Sequence, residues 1–113
     1  MPFVDIKSSK PIDAKTRNVL QEEIVKIMPV IPGKDETNTL FCISDHYAMF
    51  KQHEAVEAVF VEVRMYKQSP EEAKAEFVKQ ITPIFDKVLG IPAPMVNLNF
   101  TEMDKWAVNG DYF

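Results

Sequence analysis

Cysteine is nearly missing from this chain of 113 residues, and the single one, Cys42, has no partner for an internal disulfide. Its place in the apolar run TLFCIS predicts a buried thiol that packs as a small hydrophobe. Histidine is scarce as well: His46 and His53 build no cluster at ligand spacing, so no metal site is expected. Positive charge is in deficit, with 13 Lys and Arg against 17 Asp and Glu, and the net charge of -4 leaves no basic face for nucleic acid. Neither end carries a run of like charge that would act as a binding tail. No apolar stretch approaches the roughly 20 residues of a membrane span. MPFVDIK is followed by polar residues where a secretory signal would continue apolar. These absences predict a soluble cytoplasmic protein that binds neither membrane nor nucleic acid.

What is present suits one globular domain over residues 1–113, since this length supports a single core. PFVDIK alternates with period two and predicts a strand over 2–7. Asp13 then caps a segment in which Val19, Leu20, Glu23, Ile24 and Ile27 form a mostly apolar stripe, predicting a helix over 14–28 that Pro29 stops. NTLFCIS reads as a second strand, closing a βαβ unit over 2–44. After the less regular DHYAMFKQHE, the run EAVFVEVRMY puts Val59, Val61, Val63 and Met65 on one face of a third strand. Phe60, Glu62, Arg64 and Tyr66 take the other face. Ser69, Pro70 and Glu72 have the spacing of a capping box and predict a second helix to about Leu89. Gly90 and Pro92 end it, although Pro83 removes one of its hydrogen bonds. MVNLNFT is the fourth strand, which gives a second βαβ unit over 57–101 and a C-terminal segment over 102–113.

Helical crossovers favour parallel strands within each unit. The expected fold class is therefore α+β, a two-layer α/β sandwich with both helices on one face of a four-stranded mixed sheet. The other face, with Phe3, Asp5, Phe60 and Tyr66, is left uncovered, as a surface that meets another subunit would be. Pro2 admits two roles. Proline is tolerated as the first residue of a strand. If Met1 is removed, Pro2 also becomes a terminal secondary amine able to act as a base or nucleophile.

Several folds share this element order. Three further features carry a resemblance to the tautomerase superfamily, whose members include macrophage migration inhibitory factor and the oxalocrotonate tautomerases. They are Pro2 opening the first strand, the paired βαβ units, and the run MVNLNFTEMDKWAVNGDYF. VNLNFTEM is similar to the end of the family's fourth strand, DHYAMF to the segment after its second strand, and the spacing from Pro2 to Pro11 also matches. The ending WAVNGDYF resembles short bacterial members. The resemblance implies a homotrimer with a central barrel of three sheets, each active site lying at a subunit boundary. It also implies catalysis without metal or cofactor, on a small 2-oxo acid or its enol.

An α-amino group titrates at roughly 8, and an apolar pocket or nearby cation favours its neutral form. Neutral Pro2 would then move a proton between carbon and oxygen. Lys34, in PGKDE, is similar in position to the lysine that relatives place beside the proline, where it would bind a carboxylate or an enolate oxygen; otherwise it is a solvated loop lysine. Arg64 would hold a carboxylate bidentately, as arginine does in oxalocrotonate-type relatives, or else pair with Glu62 or an acid of another subunit. Asn97 stands where migration inhibitory factor has a tyrosine, and Asn99 matches the family asparagine, which would anchor substrate or satisfy backbone groups. Trp106 and Tyr112 belong to a C-terminal segment that would wall the site or pack between subunits, while His46 reads as a surface residue. The functional expectation is a cofactor-independent tautomerase or isomerase with Pro2 as base. Its alternatives are a non-catalytic oligomeric binding module of the same fold and a related hydratase, dehalogenase or decarboxylase.

Overall fold

Val59, Val61, Val63 and Met65 have almost no exposed surface, so the alternation in VFVEVRMY is a burial pattern. The computed structural model describes residues 2–113; Met1, on which the expectation of N-terminal processing falls, lies outside them. Strand β1 (Phe3–Ser8) buries Val4, Ile6 and Ser8 in the same way. It runs antiparallel to β5 (Val59–Tyr66) with Val4 opposite Val63 and Ile6 opposite Val61, which brings their buried columns together. β2 (Leu40–Ser44) pairs parallel with β1, and β6 (Val96–Met103) parallel with β5. The result is a mixed four-stranded sheet in the order β2-β1-β5-β6.

Helices α1 (Ala14–Ile27) and α2 (Glu71–Leu89) cover one face of it. Leu20, Ile24, Phe77, Ile81 and Phe85 join the buried valines of β5 in a single core. Asp13 caps α1 as expected, accepting the Thr16 N–H at 2.8 Å. The α-helix ends at Ile27 and tightens into a 3-10 turn over Met28–Val30, because Pro29 has no N–H to continue the ladder. No helix among the described residues is long and apolar enough to cross a membrane.

The expected capping box at Ser69 does not form. Pro70 is the N-cap of α2, with no side-chain hydrogen bond, and the Ser69 N–H donates instead to Glu102 Oε2 at 2.6 Å. Lys74, nearly buried, reaches Glu102 Oε1 at 2.6 Å and Glu71 Oε1 at 2.8 Å. A carboxylate from the end of β6 therefore anchors the start of α2, a long-range contact that local spacing cannot announce. Its hydrogen bond from Lys74 holds the Glu102 carboxyl below the ordinary glutamate range. Pro83 leaves α2 continuous: it and Lys79, whose carbonyl loses its partner, are both exposed, so water can take the vacant bond. Gly90 (φ 71°) ends the helix as expected, its N–H and that of Ile91 bonding back to Asp86 and Phe85.

Two small hairpins complete the chain. β3 (Phe50–Lys51) and β4 (Glu54–Ala55) turn through Gln52 and His53, both at positive φ. β7 (Ala107–Val108) and β8 (Asp111–Tyr112) turn through Asn109 and Gly110, also both at positive φ, as a two-residue hairpin turn of the I′ kind requires.

Between the helices, Glu23 receives hydrogen bonds from Lys87 and Lys26, which lower its carboxyl from 4.5 to about 2. A depressed carboxyl contributes stability fully above its unfolded value, and that contribution is lost as pH falls through the folded one. Glu23→Gln is therefore expected to flatten the loss of thermal stability between pH 4.5 and about 2. Thermal melts at low ionic strength check this, and added salt should narrow the difference between the proteins, since both lysine partners are exposed.

Candidate functional site

Strand register fixes what the uncovered face presents. Leu40, Phe3, Arg64 and Thr101 form one row across it, followed by Cys42, Asp5, Glu62 and Asn99, then by Ser44, Lys7, Phe60 and Asn97. Cys42 is consequently exposed, correcting the expectation of a buried thiol: its neighbours Phe41 and Ile43 take the core side. Charges alternate along the two central strands. Lys7 Nζ lies 3.4 Å from Asp5 Oδ2, and Arg64 Nη2 lies 3.4 Å from Glu62 Oε2.

Pro2 sits at the edge of the first row. It is buried, and its carbonyl accepts the Leu40 N–H at 3.0 Å, so its missing donor costs the sheet nothing. Beside it opens a cavity of about 360 Å³ lined by Pro2, Phe3, Asn38, Leu40, Arg64 and the residues Trp106 to Val108. Arg64 is the one charged side chain among these, and its guanidinium carbon lies 5.7 Å from the centre of the Phe3 ring. Among the described residues one polar contact engages Arg64, the long one to Glu62 at 3.4 Å, and a guanidinium carries five N–H donors. The third wall is β7, held by paired Trp106 and Phe113 backbones whose two N–H···O bonds are each 2.9 Å.

Within one chain the structure brings Pro2, Arg64 and Trp106 together. Lys34 lies in the loop before β2, its N–H bonded to the Ile31 carbonyl at 3.1 Å, and does not line this cavity. That loop is tied to the cavity all the same, because Asn38 donates to the Gly33 carbonyl at 2.8 Å. Asn99 lies in the middle row. Asn97 lies at the other end of β6, lining a second cavity of about 470 Å³ with Phe50, Phe60 and Met95. Tyr112 is exposed on β8, outside the lining of the Pro2 cavity. His46, past the far end of β2, is exposed and contacts Asp45 at 3.0 Å. The Asp45 carboxyl also accepts the Ile12 N–H at 2.6 Å, the first cause of its lowered pKa, and faces Arg17 at 3.1 Å. That cluster pins α1 to β2 and lies away from Pro2.

Sequence reasoning did not single out Asn38, Leu40 or Val108. Leu40 follows from pairing Pro2 with the start of β2. Val108 follows from the Asn109-Gly110 pair, a hairpin signal in WAVNGDYF that places a strand before it.

No family model matches the sequence, and none of the curated proteins matches it. Solved structures do. The chain superposes on MIF2 from Leishmania major with a TM-score of 0.92 at 23% identity, covering 100% of this chain and 97% of that one. A macrophage migration inhibitory factor homologue from Prochlorococcus marinus gives 0.85 at 23% identity, covering 98% of each chain. Pt0534, whose structure was solved after inactivation by 2-oxo-3-pentynoate, gives 0.82 at 14% identity over 96% of this chain and 93% of that one. The fold is thus the one shared by migration-inhibitory-factor-like proteins.

Proposed function

We propose that this protein is a cofactor-independent tautomerase that moves a proton on a small 2-oxo acid or its enol, with Pro2 as the base once Met1 is removed. The observation that carries the reading is the burial of Pro2 against an apolar cavity whose one charged side chain is Arg64. Apolar surroundings and a neighbouring guanidinium both favour a neutral amine, the form a base needs. In the ketonising direction the Pro2 nitrogen takes the enol O–H proton and delivers a proton to the adjacent carbon. Arg64 exchanges its long contact with Glu62 for the substrate carboxylate and steadies the charge that develops on oxygen. Phe3, Leu40, Trp106 and Val108 accommodate the apolar part of the substrate. The inactivation of Pt0534, a protein of the same fold, by a 2-oxo acid supports this substrate class.

The reading includes a homotrimer. Leu40, Phe50 and Phe60 are exposed large apolar residues, as suits surfaces that neighbouring copies cover. Assembly would close the cavity at a subunit boundary, with Asn97 and Asn99 reaching the site from a neighbour and Lys34 from its loop.

The test follows the loss of phenylpyruvate enol by ultraviolet absorbance, with protein whose N-terminus is defined by mass spectrometry. Activity should track the fraction carrying a free Pro2 and vanish in protein retaining Met1, whose Pro2 nitrogen is an amide. Fully processed protein inactive on phenylpyruvate and on dicarboxylic enols would reject the proposal in favour of a binding module or a narrow lyase of the same fold. Arg64→Ala should raise KM by about tenfold to a hundredfold, the range for losing a charge-assisted contact, with a smaller change in kcat. Steady-state kinetics read both parameters.

A further inference from the structure

The hairpin that walls the Pro2 cavity has little of its own to hold it. Its strands, Ala107–Val108 and Asp111–Tyr112, are two residues each and form a separate sheet, with no ladder to the central one among the described residues. A hairpin of that size is marginal in water. Ala107, Asp111 and Tyr112 are exposed, and the chain leading in from β6 through Asp104 and Lys105 is exposed as well. Among the described residues, one aromatic contact joins the distal end of the hairpin to the sheet. The Phe113 ring stands edge-on to Tyr66, with centroids 5.0 Å apart and an interplanar angle of 77°.

Tyr66 ends β5 two residues beyond Arg64 on the same face, so one strand supplies both the cation of the cavity and the seat of this ring. Phe113 is in turn paired to Trp106 through both backbone hydrogen bonds. Fixing Phe113 on Tyr66 thereby fixes Trp106 beside Pro2. We propose that the Phe113–Tyr66 contact is the latch that sets the Trp106 wall, making Phe113 a positioning residue that controls how tightly the cavity holds its ligand. In its catalytic consequence the proposal rests on Pro2 acting as described above.

Trp106 is the only tryptophan in the chain, so its emission reports this wall directly. In Phe113→Ala, and separately in Tyr66→Leu, Trp106 emission should shift to the red and acrylamide quenching should rise severalfold. KM for phenylpyruvate should rise by about tenfold, the scale of one edge-to-face aromatic pair, with kcat within about twofold. Phe113→Tyr, which keeps the ring, should restore all three. The melting temperature and sedimentation of each variant establish that the fold and assembly are intact. Unchanged emission and quenching in both variants would overturn the latch, as would altered emission with an unchanged KM. Should the wild type prove inactive as a tautomerase, emission and quenching alone decide, and the catalytic reading fails without taking the latch with it.

Discussion

Pro2→Ala is expected to slow enol-to-keto conversion of phenylpyruvate by at least about a hundredfold, within the range a positioned general base contributes. Alanine at this position keeps an amine, so a rate loss would come from geometry and not from removal of nitrogen. The pyrrolidine ring fixes the nitrogen relative to β1, whereas a primary amine rotates out of line with the substrate. Stability should be nearly unaffected. The Pro2 carbonyl that accepts the Leu40 N–H is preserved, and little side-chain volume is lost. The acid limb of kcat/KM provides a second check. A base that must be neutral loses activity as pH falls through its own titration, and removing the Arg64 charge restores the cost-free protonated form at higher pH. Arg64→Ala should therefore move that limb upward, in addition to raising KM. A limb that does not move would mean that Arg64 is too distant, or too well neutralised by Glu62, to act on the base.

The arrangement of layers was open to sequence reasoning because it rests on local alternation and punctuation. Val59 to Met65 announced a strand with one buried face, and Asp13 and Gly90 announced helix ends that the backbone forms as expected. What escaped depends on partners remote in sequence. Ser69, Pro70 and Glu72 have the spacing of a capping box, yet Glu102, 33 residues away from Ser69, takes the Ser69 N–H. Cys42 lies in an apolar run and is exposed, because which side of β2 faces the core depends on its register with β1. The hairpin through Gln52 and His53 uses positive φ without glycine and so carries no turn signature, unlike Asn109-Gly110, where the signature is plain. At the candidate site, Pro2 was marked by its own chemistry as a terminal secondary amine, and Arg64 and Trp106 by the resemblance. Their convergence needed the antiparallel pairing that sets Phe3 opposite Arg64. Asn97 lies at the other end of the sheet because it pairs with Phe60, four residues before Arg64 on β5.

Phe77→Ala is expected to cost about 3–5 kcal/mol, the range for truncating a buried aromatic, and to lower the melting temperature by more than about 10 °C. Phe77 is fully buried on α2, with its ring edge-on to Phe100 of β6 at a centroid separation of 6.0 Å. Its removal leaves a cavity between helix and sheet that Ile81 and Val63 cannot fill without leaving their own contacts. Val78→Ala, one position along and exposed on the same helix, should change stability by less than about 1 kcal/mol. Denaturant titrations of the two variants provide the comparison. A loss in Phe77→Ala as small as that in Val78→Ala would mean that α2 is not held to the sheet by this ring. The same variant also asks whether the two faces of the sheet are independent. Phe77 packs on the helical face, while Pro2, Arg64 and Trp106 line a cavity on the opposite one. Well below its lowered melting temperature, Phe77→Ala should keep the wild-type KM and kcat per folded molecule. A raised KM would instead show that the anchor of α2 on Glu102 transmits strain along β6 to the Trp106 wall.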